Sequence, residues 1–238
     1  MKYYELGDLT HYLTSDFFNL SWHKKLNSLR NMIIGLKNIH GADIIHKDYH
    51  SGNIFIKGYQ AIIGDLGLSK SAIESSEDDN NEIYGIIPYV APEIFKGQKY
   101  IKASDIYSFG MIMWELMTGR RPFWNENHDT DLIIKICDGI CPPIVTNAPK
   151  GYIELMHECW HSDPNKRPTA LELYDKIALI HSNKSQIQII KSVDIGPMVA
   201  NKYNPGAIYK SRSLSAMIKS AEFTWNLRSR RFILESGK

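Results

Sequence analysis

The sequence predicts a mainly α fold with a small β-hairpin region, and three observations carry that prediction. From Ser21 to His40, Leu26, Leu29, Ile33, Leu36 and Ile39 recur at steps of three and four residues, the period of a helix buried along one face. From Ser104 to Thr118, Ile106, Phe109, Met113, Trp114, Leu116 and Met117 leave little polar face, which marks a helix enclosed by others. Between them, Ile44-Ile45, Ile54-Phe55-Ile56 and Ala61-Ile62-Ile63 are short apolar runs around polar loops, the pattern of strand, turn and strand.

Taken in order, Met1 to Leu13 opens with tyrosines and leads through Glu5-Leu6-Gly7-Asp8-Leu9 into a short helical pattern. Ser21 supplies an N-cap hydroxyl for the long helix, and Gly41 suits its left-handed end. After the hairpin region, residues 74–82 are acidic and short of apolar anchors, so this stretch is expected to be mobile. Further helices are predicted near 129–138, 152–161 and 169–181, the last capped by Thr169 behind Pro168. Residues 182–238 read as a basic, Ser-rich and mostly flexible tail, broken at Gly196-Pro197 and Pro205-Gly206, with one short helix near 214–226. Its Arg212-Ser213-Leu214-Ser215 run offers hydroxyls for phosphate.

A chain of 238 residues can bury one good-sized core or two small ones. The net charge of +2 hides an asymmetry, because ten basic residues face three acidic ones beyond Ser182 while the remainder is acidic. Such a tail can touch the body, a membrane surface or nucleic acid, and a solvated linker with no specific nucleic-acid partner is the expectation. Cys137, Cys141 and Cys159 are odd in number and form no Cys-x-x-Cys pair, which argues against a disulfide framework or a zinc site. No apolar run is long enough to span a bilayer and no leader pattern opens the chain, so no transmembrane segment and a cytoplasmic location are expected.

The chemistry concentrates between Ile44 and Asp65. The loop carries Asp48 and, five residues on, Asn53, while Asp65 follows the next apolar run. Magnesium takes hard oxygen ligands and shares them with substrate phosphates, so an Asn and an Asp on adjacent strand ends suit a metal-phosphate site. Asp48 is then free to hold an incoming hydroxyl.

Three signatures in this order resemble the eukaryotic protein kinases: His46-Lys47-Asp48-Tyr49 running to Asn53, Asp65-Leu66-Gly67, and Ala91-Pro92-Glu93. The resemblance is to the serine/threonine members of the tyrosine-kinase-like group. It implies a kinase domain over residues 1–181, comprising hinge and C-lobe, with ATP, Mg2+ and a protein substrate as partners. Asp48 would accept or orient the substrate hydroxyl, aided by His50 at a position where serine/threonine kinases usually carry Lys. Asn53 and Asp65 would bind the cofactor and its metal. Asp105 would anchor the catalytic loop from below, and Glu93 would form a structural ion pair with Arg167. Between Asp65 and Glu93 the resemblance implies an activation loop, where Ser69, Ser71, Ser75, Ser76 and Tyr84 are candidate phosphate acceptors.

The sequence departs from the family pattern at several points. Lys47 replaces an arginine whose planar fork reads phosphate, which weakens control by loop phosphorylation. Leu66 stands for Phe, and Ile86 for the threonine of serine/threonine kinases. Only 20 residues precede the Ser21 helix and no Gly-x-Gly-x-x-Gly is present, so the N-lobe is expected to be absent and the chain weakly active or inactive alone. The alternative is a non-catalytic, kinase-like interaction or scaffold module.

Overall fold

The structure, a computed structural model, describes residues 7–58, 60–72, 82–182, 187, 189–197 and 204–236, with side chains as far as 225. It is about half helical, with few and short strands. Helix α1 (Leu9–Asp16) and helix α2 (Trp22–Gly41) come first, followed by strands β1 (Ile44–Ile45), β2 (Ile54–Lys57), β3 (Gln60–Ile63), β4 (Lys70–Ser71) and β5 (Tyr84–Gly85). Helices α3 (Pro92–Phe95), α4 (Lys102–Thr118), α5 (Thr130–Cys137), α6 (Tyr152–Cys159) and α7 (Ala170–Ser182) then build the body. Strand β6 (Arg212–Ser213) and helix α8 (Ser215–Ser236) belong to the tail.

Helix α2 begins where Ser21 accepts the amide of Lys24 and buries Leu26, Leu29, Met32, Ile33 and Leu36. The stripe continues into His40 rather than Ile39, which is only half buried. Gly35 lies on this face, and a Cβ there would come within 2.7 Å of the Ile63 side chain, so the missing side chain sets how closely α2 rides on β3. Along α4, Ser104 to Thr118 are all buried, and Gly119 ends the helix at φ +73 with the Phe17 ring packed where its Cβ would be. Helix α7 starts with a reciprocal cap in which Thr169 accepts the amide of Glu172 while the Glu172 carboxylate accepts the amide of Thr169.

The strands form three two-stranded antiparallel ladders, β1 with β4, β2 with β3 and β5 with β6. In the β2–β3 hairpin Ile54 lies opposite Ile63 and Ile56 opposite Ala61. That register fixes what stands at the two strand ends and therefore the site described below.

The described part of the tail departs from the flexible segment expected over 182–238. Leu214, Ile218 and Ala221 are buried, and α8 packs along α5. Their spacing of four and three is one helical face, an apolar stripe that the basic composition masks. Upstream of α8, Tyr209 donates to the Pro122 carbonyl at 2.7 Å and Gly206 accepts the amide of His128 at 2.8 Å. Arg120 donates to the carbonyls of Val193 and Gly196, tying an earlier part of the tail to the end of α4. Among the described residues no helix is long and apolar enough to cross a membrane.

Candidate active site

The loop between β1 and β2 is shaped from beneath by α4. Asp105, in the first turn of that helix and almost wholly buried, accepts the amide of His46 at 2.9 Å through Oδ2 and the amide of Lys47 at 3.0 Å through Oδ1. His40, at the end of α2, lies 2.9 Å from the same Oδ2 through Nε2. Two backbone donors and one ring nitrogen compensate a carboxylate that would otherwise be costly to bury. With its amide held there, Lys47 takes a positive φ of 70° and the chain turns sharply just before Asp48.

The rest of the loop closes on itself. His46 donates through Nε2 to the Gly64 carbonyl at 3.1 Å, which joins the loop to the end of β3. Tyr49 is buried against the rings of His46 and Phe109. Residues Ser51–Asn53 form a single 3-10 turn, capped where His50 Nδ1 accepts the amide of Gly52 at 3.1 Å. A neutral His50 ring then carries its proton on Nε2, the atom that faces Asp48 Oδ2 at 3.5 Å.

Asp48 is buried by this arrangement. Burial pushes its carboxyl upward, but His50, the hydroxyl of Ser211 and the charge of His46 outweigh that and leave the pKa below the ordinary carboxylate value. Asp48 is thus an ionised acceptor in an enclosed setting. Asn53 gives its amide nitrogen to the Asp48 carbonyl at 2.9 Å and, more weakly, to Asp48 Oδ2 at 3.5 Å. The side-chain oxygen of Asn53 is left as a ligand atom.

The hairpin register brings the third oxygen group close. Gly64 donates its amide to the Asn53 carbonyl at 2.8 Å, and Asp65 is the next residue. Asp65 is exposed, takes φ +54 and accepts the amide of Gly67 at 3.3 Å through Oδ1. Asp48, Asn53 and Asp65 therefore stand on two neighbouring turns. Among the described residues no group of three or more His, Cys, Asp and Glu side chains could hold a metal alone. One amide and one carboxylate fit magnesium, which keeps water and phosphate oxygens for its other ligands.

Further out, the structure brings Glu93 and Arg167 together as a buried, two-pronged pair with both N–O distances at 2.7 Å. Arg167 also donates to the carbonyls of Ala103 and His161, and Ser104 donates to Glu93. Of the candidate phosphate acceptors, Ser69 donates to the Leu66 carbonyl and Ser71 lies in β4. Tyr84 lies in β5 and donates to Glu82, whose carboxylate raises the phenol's pKa. Ser75 and Ser76 lie outside the described residues.

Three participants escape a motif search. His40 could have been found as the next step of the α2 stripe after Leu36. Glu115, buried and accepting the Tyr89 hydroxyl at 2.6 Å, extends the site through Ser51, whose Oγ is 3.4 Å from the same hydroxyl. Ser211, from the tail, has no signal in its local sequence that points to Asp48.

Residues 1–177 match the family described as protein tyrosine and serine/threonine kinase. The serine/threonine-protein kinase/receptor R831, as its name describes it, of Acanthamoeba polyphaga mimivirus is 29% identical over 75% of this chain and 11% of that protein. Stress-activated protein kinase alpha of Dictyostelium discoideum is 29% identical over 76% of this chain and 31% of its own length. The mouse ephrin type-A receptor 8 is 30% identical over 77% of the chain and 19% of the receptor. The chain thus spans about a tenth of the first of these relatives and less than a third of the others. With most of its length matched by the family, the chain belongs to the eukaryotic protein kinases, enzymes that transfer phosphoryl groups from ATP.

Proposed function

We propose that the chain is the C-lobe of a kinase that moves the γ-phosphoryl group of ATP to a serine or threonine hydroxyl of a protein, with residues 1–181 forming the kinase part. The observation that carries this reading is the ionised, buried Asp48 standing beside Asn53, with Asp65 across the hairpin register. Phosphoryl transfer asks mainly for positioning and charge neutralisation. Asp48 orients the acceptor hydroxyl and takes its proton, while His50 Nε2 restrains the carboxylate and Asn53 Nδ2 fixes the backbone behind it. Asn53 and Asp65 would hold magnesium, which would supply neutralisation of phosphate charge. Asp105 keeps the loop in its strained turn throughout. The serine/threonine acceptor is supported by relatives such as R831 and stress-activated protein kinase alpha, and a cytoplasmic location is part of the same proposal.

In the full-length protein, Asp48→Asn keeps the shape of the side chain but removes the base. Transfer to a generic protein substrate should fall by about 10²–10⁴-fold. Undiminished transfer by the asparagine variant would overturn the role of Asp48, and no transfer by either protein would favour a non-catalytic interaction module.

A further inference from the structure

The tail lies against the body first as a strand and then as a helix. His128 Nδ1 is 2.9 Å from the Ile208 carbonyl, and Arg212 donates to the His128 carbonyl at 2.6 Å. Strand β6 pairs antiparallel with β5, Gly85 opposite Arg212 and Tyr84 opposite Ser213. Leu214 extends the ladder by donating its amide to the Ile83 carbonyl at 2.7 Å, and Ser215 Oγ accepts the amide of Ile83 at 3.1 Å. Beyond it α8 packs along α5, with Ile218 and Ala221 buried.

Side chains of an extended strand alternate between faces, so Arg212 and Leu214 share one face and Ser213 takes the other. Burial follows that rule: Leu214 is wholly buried, Arg212 half-buried and Ser213 exposed. The body therefore reads this strand at two positions, a basic residue whose guanidinium meets a carbonyl and, two residues on, an apolar side chain in an enclosed place. Backbone bonds to a strand edge, with alternate side chains taken into pockets, are how a folded domain holds an extended peptide.

Strand β5 is also tied to the candidate active site. The Tyr84 carbonyl accepts the hydroxyl of Tyr100 at 3.3 Å, and Nζ of Lys47, the residue before Asp48, lies 5.2 Å from the centre of the Tyr100 ring. Just beyond β5, the Tyr89 ring is 5.8 Å from that of His50, and its hydroxyl is 3.4 Å from Ser51 Oγ. A polypeptide paired with β5 thus has the loop that carries Asp48 as a near neighbour.

We propose that the edge of β5 is a docking site for an extended segment of the form Arg-x-Leu, and that residues 212–214 fill it in cis and withhold it from a protein substrate. The inference rests on the kinase reading given under Proposed function. Strap and substrate compete for one edge, so the strap lowers the apparent affinity for substrate by the fraction of molecules whose edge is free, and leaves the rate of transfer from bound substrate unchanged.

Tyr84→Cys combined with Ser213→Cys in the full-length protein tests docking and competition together. Residues directly opposite on antiparallel strands hold their Cβ atoms about 4.5–5.5 Å apart, within a small adjustment of disulfide geometry. Both side chains are exposed, so the exchange leaves the core intact. After mild oxidation, peptide mapping should find a bridge between positions 84 and 213, and its failure to form would overturn the docked strand. The bridge should cut transfer to an added protein substrate by about tenfold or more, with dithiothreitol restoring it. Separately, Leu214→Asp should free the edge and lower KM for that substrate with little change in kcat. A synthetic peptide of residues 207–216 should then compete with the substrate, and the same peptide carrying Arg212→Glu should compete about tenfold less well. Equal transfer by the bridged and reduced forms would overturn the withholding role while sparing the kinase reading. A bridge that forms, with no transfer in either redox state and none by Leu214→Asp, would overturn the kinase reading and the competition with it.

Discussion

At the scale of single residues, the burden of function and the burden of stability fall on different side chains. Lys25 illustrates the second. Its ammonium group is buried in α2, 3.7 Å from the centre of the Phe17 ring and 5.2 Å from that of Trp22, with no hydrogen-bond partner among the described residues. Ring faces attract a cation, but burial wins and pulls the pKa down to about 7. The unfolded chain therefore binds a proton here between pH 7 and about 10.5 that the folded chain does not, so stability rises with pH across that window and is lost as pH falls through it. Lys25→Met should remove this slope and stabilise the protein on the order of a few kcal/mol at pH 7. Urea unfolding at pH 7 and 9 measures it, and equal pH dependence in the two proteins would contradict the assignment. Nothing in the sequence around Lys25 distinguishes it from a solvated lysine. By contrast Asp48, Asn53 and Asp65 are legible as candidates because order and spacing along the chain single them out, whereas His40 and Ser211 reach the candidate site from 65 and more positions away from their partners.

At the scale of elements, α4 and the loop between β1 and β2 act as one piece. Asp105 belongs to the helix by sequence and to the loop by its bonds. Asp105→Ala leaves the amides of His46 and Lys47 without that acceptor, with an expected loss of about 2–4 kcal/mol in denaturant unfolding. Because the bonded amide of Lys47 supports its positive φ, phosphoryl transfer should fall as well, with Asp105→Asn losing less than alanine on both readouts. A stability loss with full activity would mean that the turn holds its shape without the carboxylate. The helices themselves are legible from the sequence: α2, α4 and α7 begin and end within a residue or two of their predicted bounds, since period and caps are local properties. The two-residue strands β4, β5 and β6 are not, because each exists only through its distant partner.

For the molecule as a whole, Arg167 is the rivet. It gathers Glu93 in α3, Ala103 at the start of α4 and His161 after α6. Removing one member of a buried pair strands the other's charge, so Arg167→Ala should lower stability by about 3–5 kcal/mol. A double-mutant cycle with Glu93→Ala should show strong coupling; additive effects would assign the loss to the two carbonyl bonds instead. The tail is where sequence and structure part most at this scale, since the stripe of Leu214, Ile218 and Ala221 becomes a buried face only when α5 is there to receive it.

The same closure sets a timetable for synthesis. The amide of Ile83 bonds to a hydroxyl 132 positions further along the chain, so the edge formed by β5 leaves the ribosome long before the segment that covers it. At about 5–20 residues per second, that edge stays bare for on the order of ten seconds. An uncovered strand edge invites pairing with other nascent chains, which makes this short piece of backbone a place where a growing polypeptide gains from chaperone shelter.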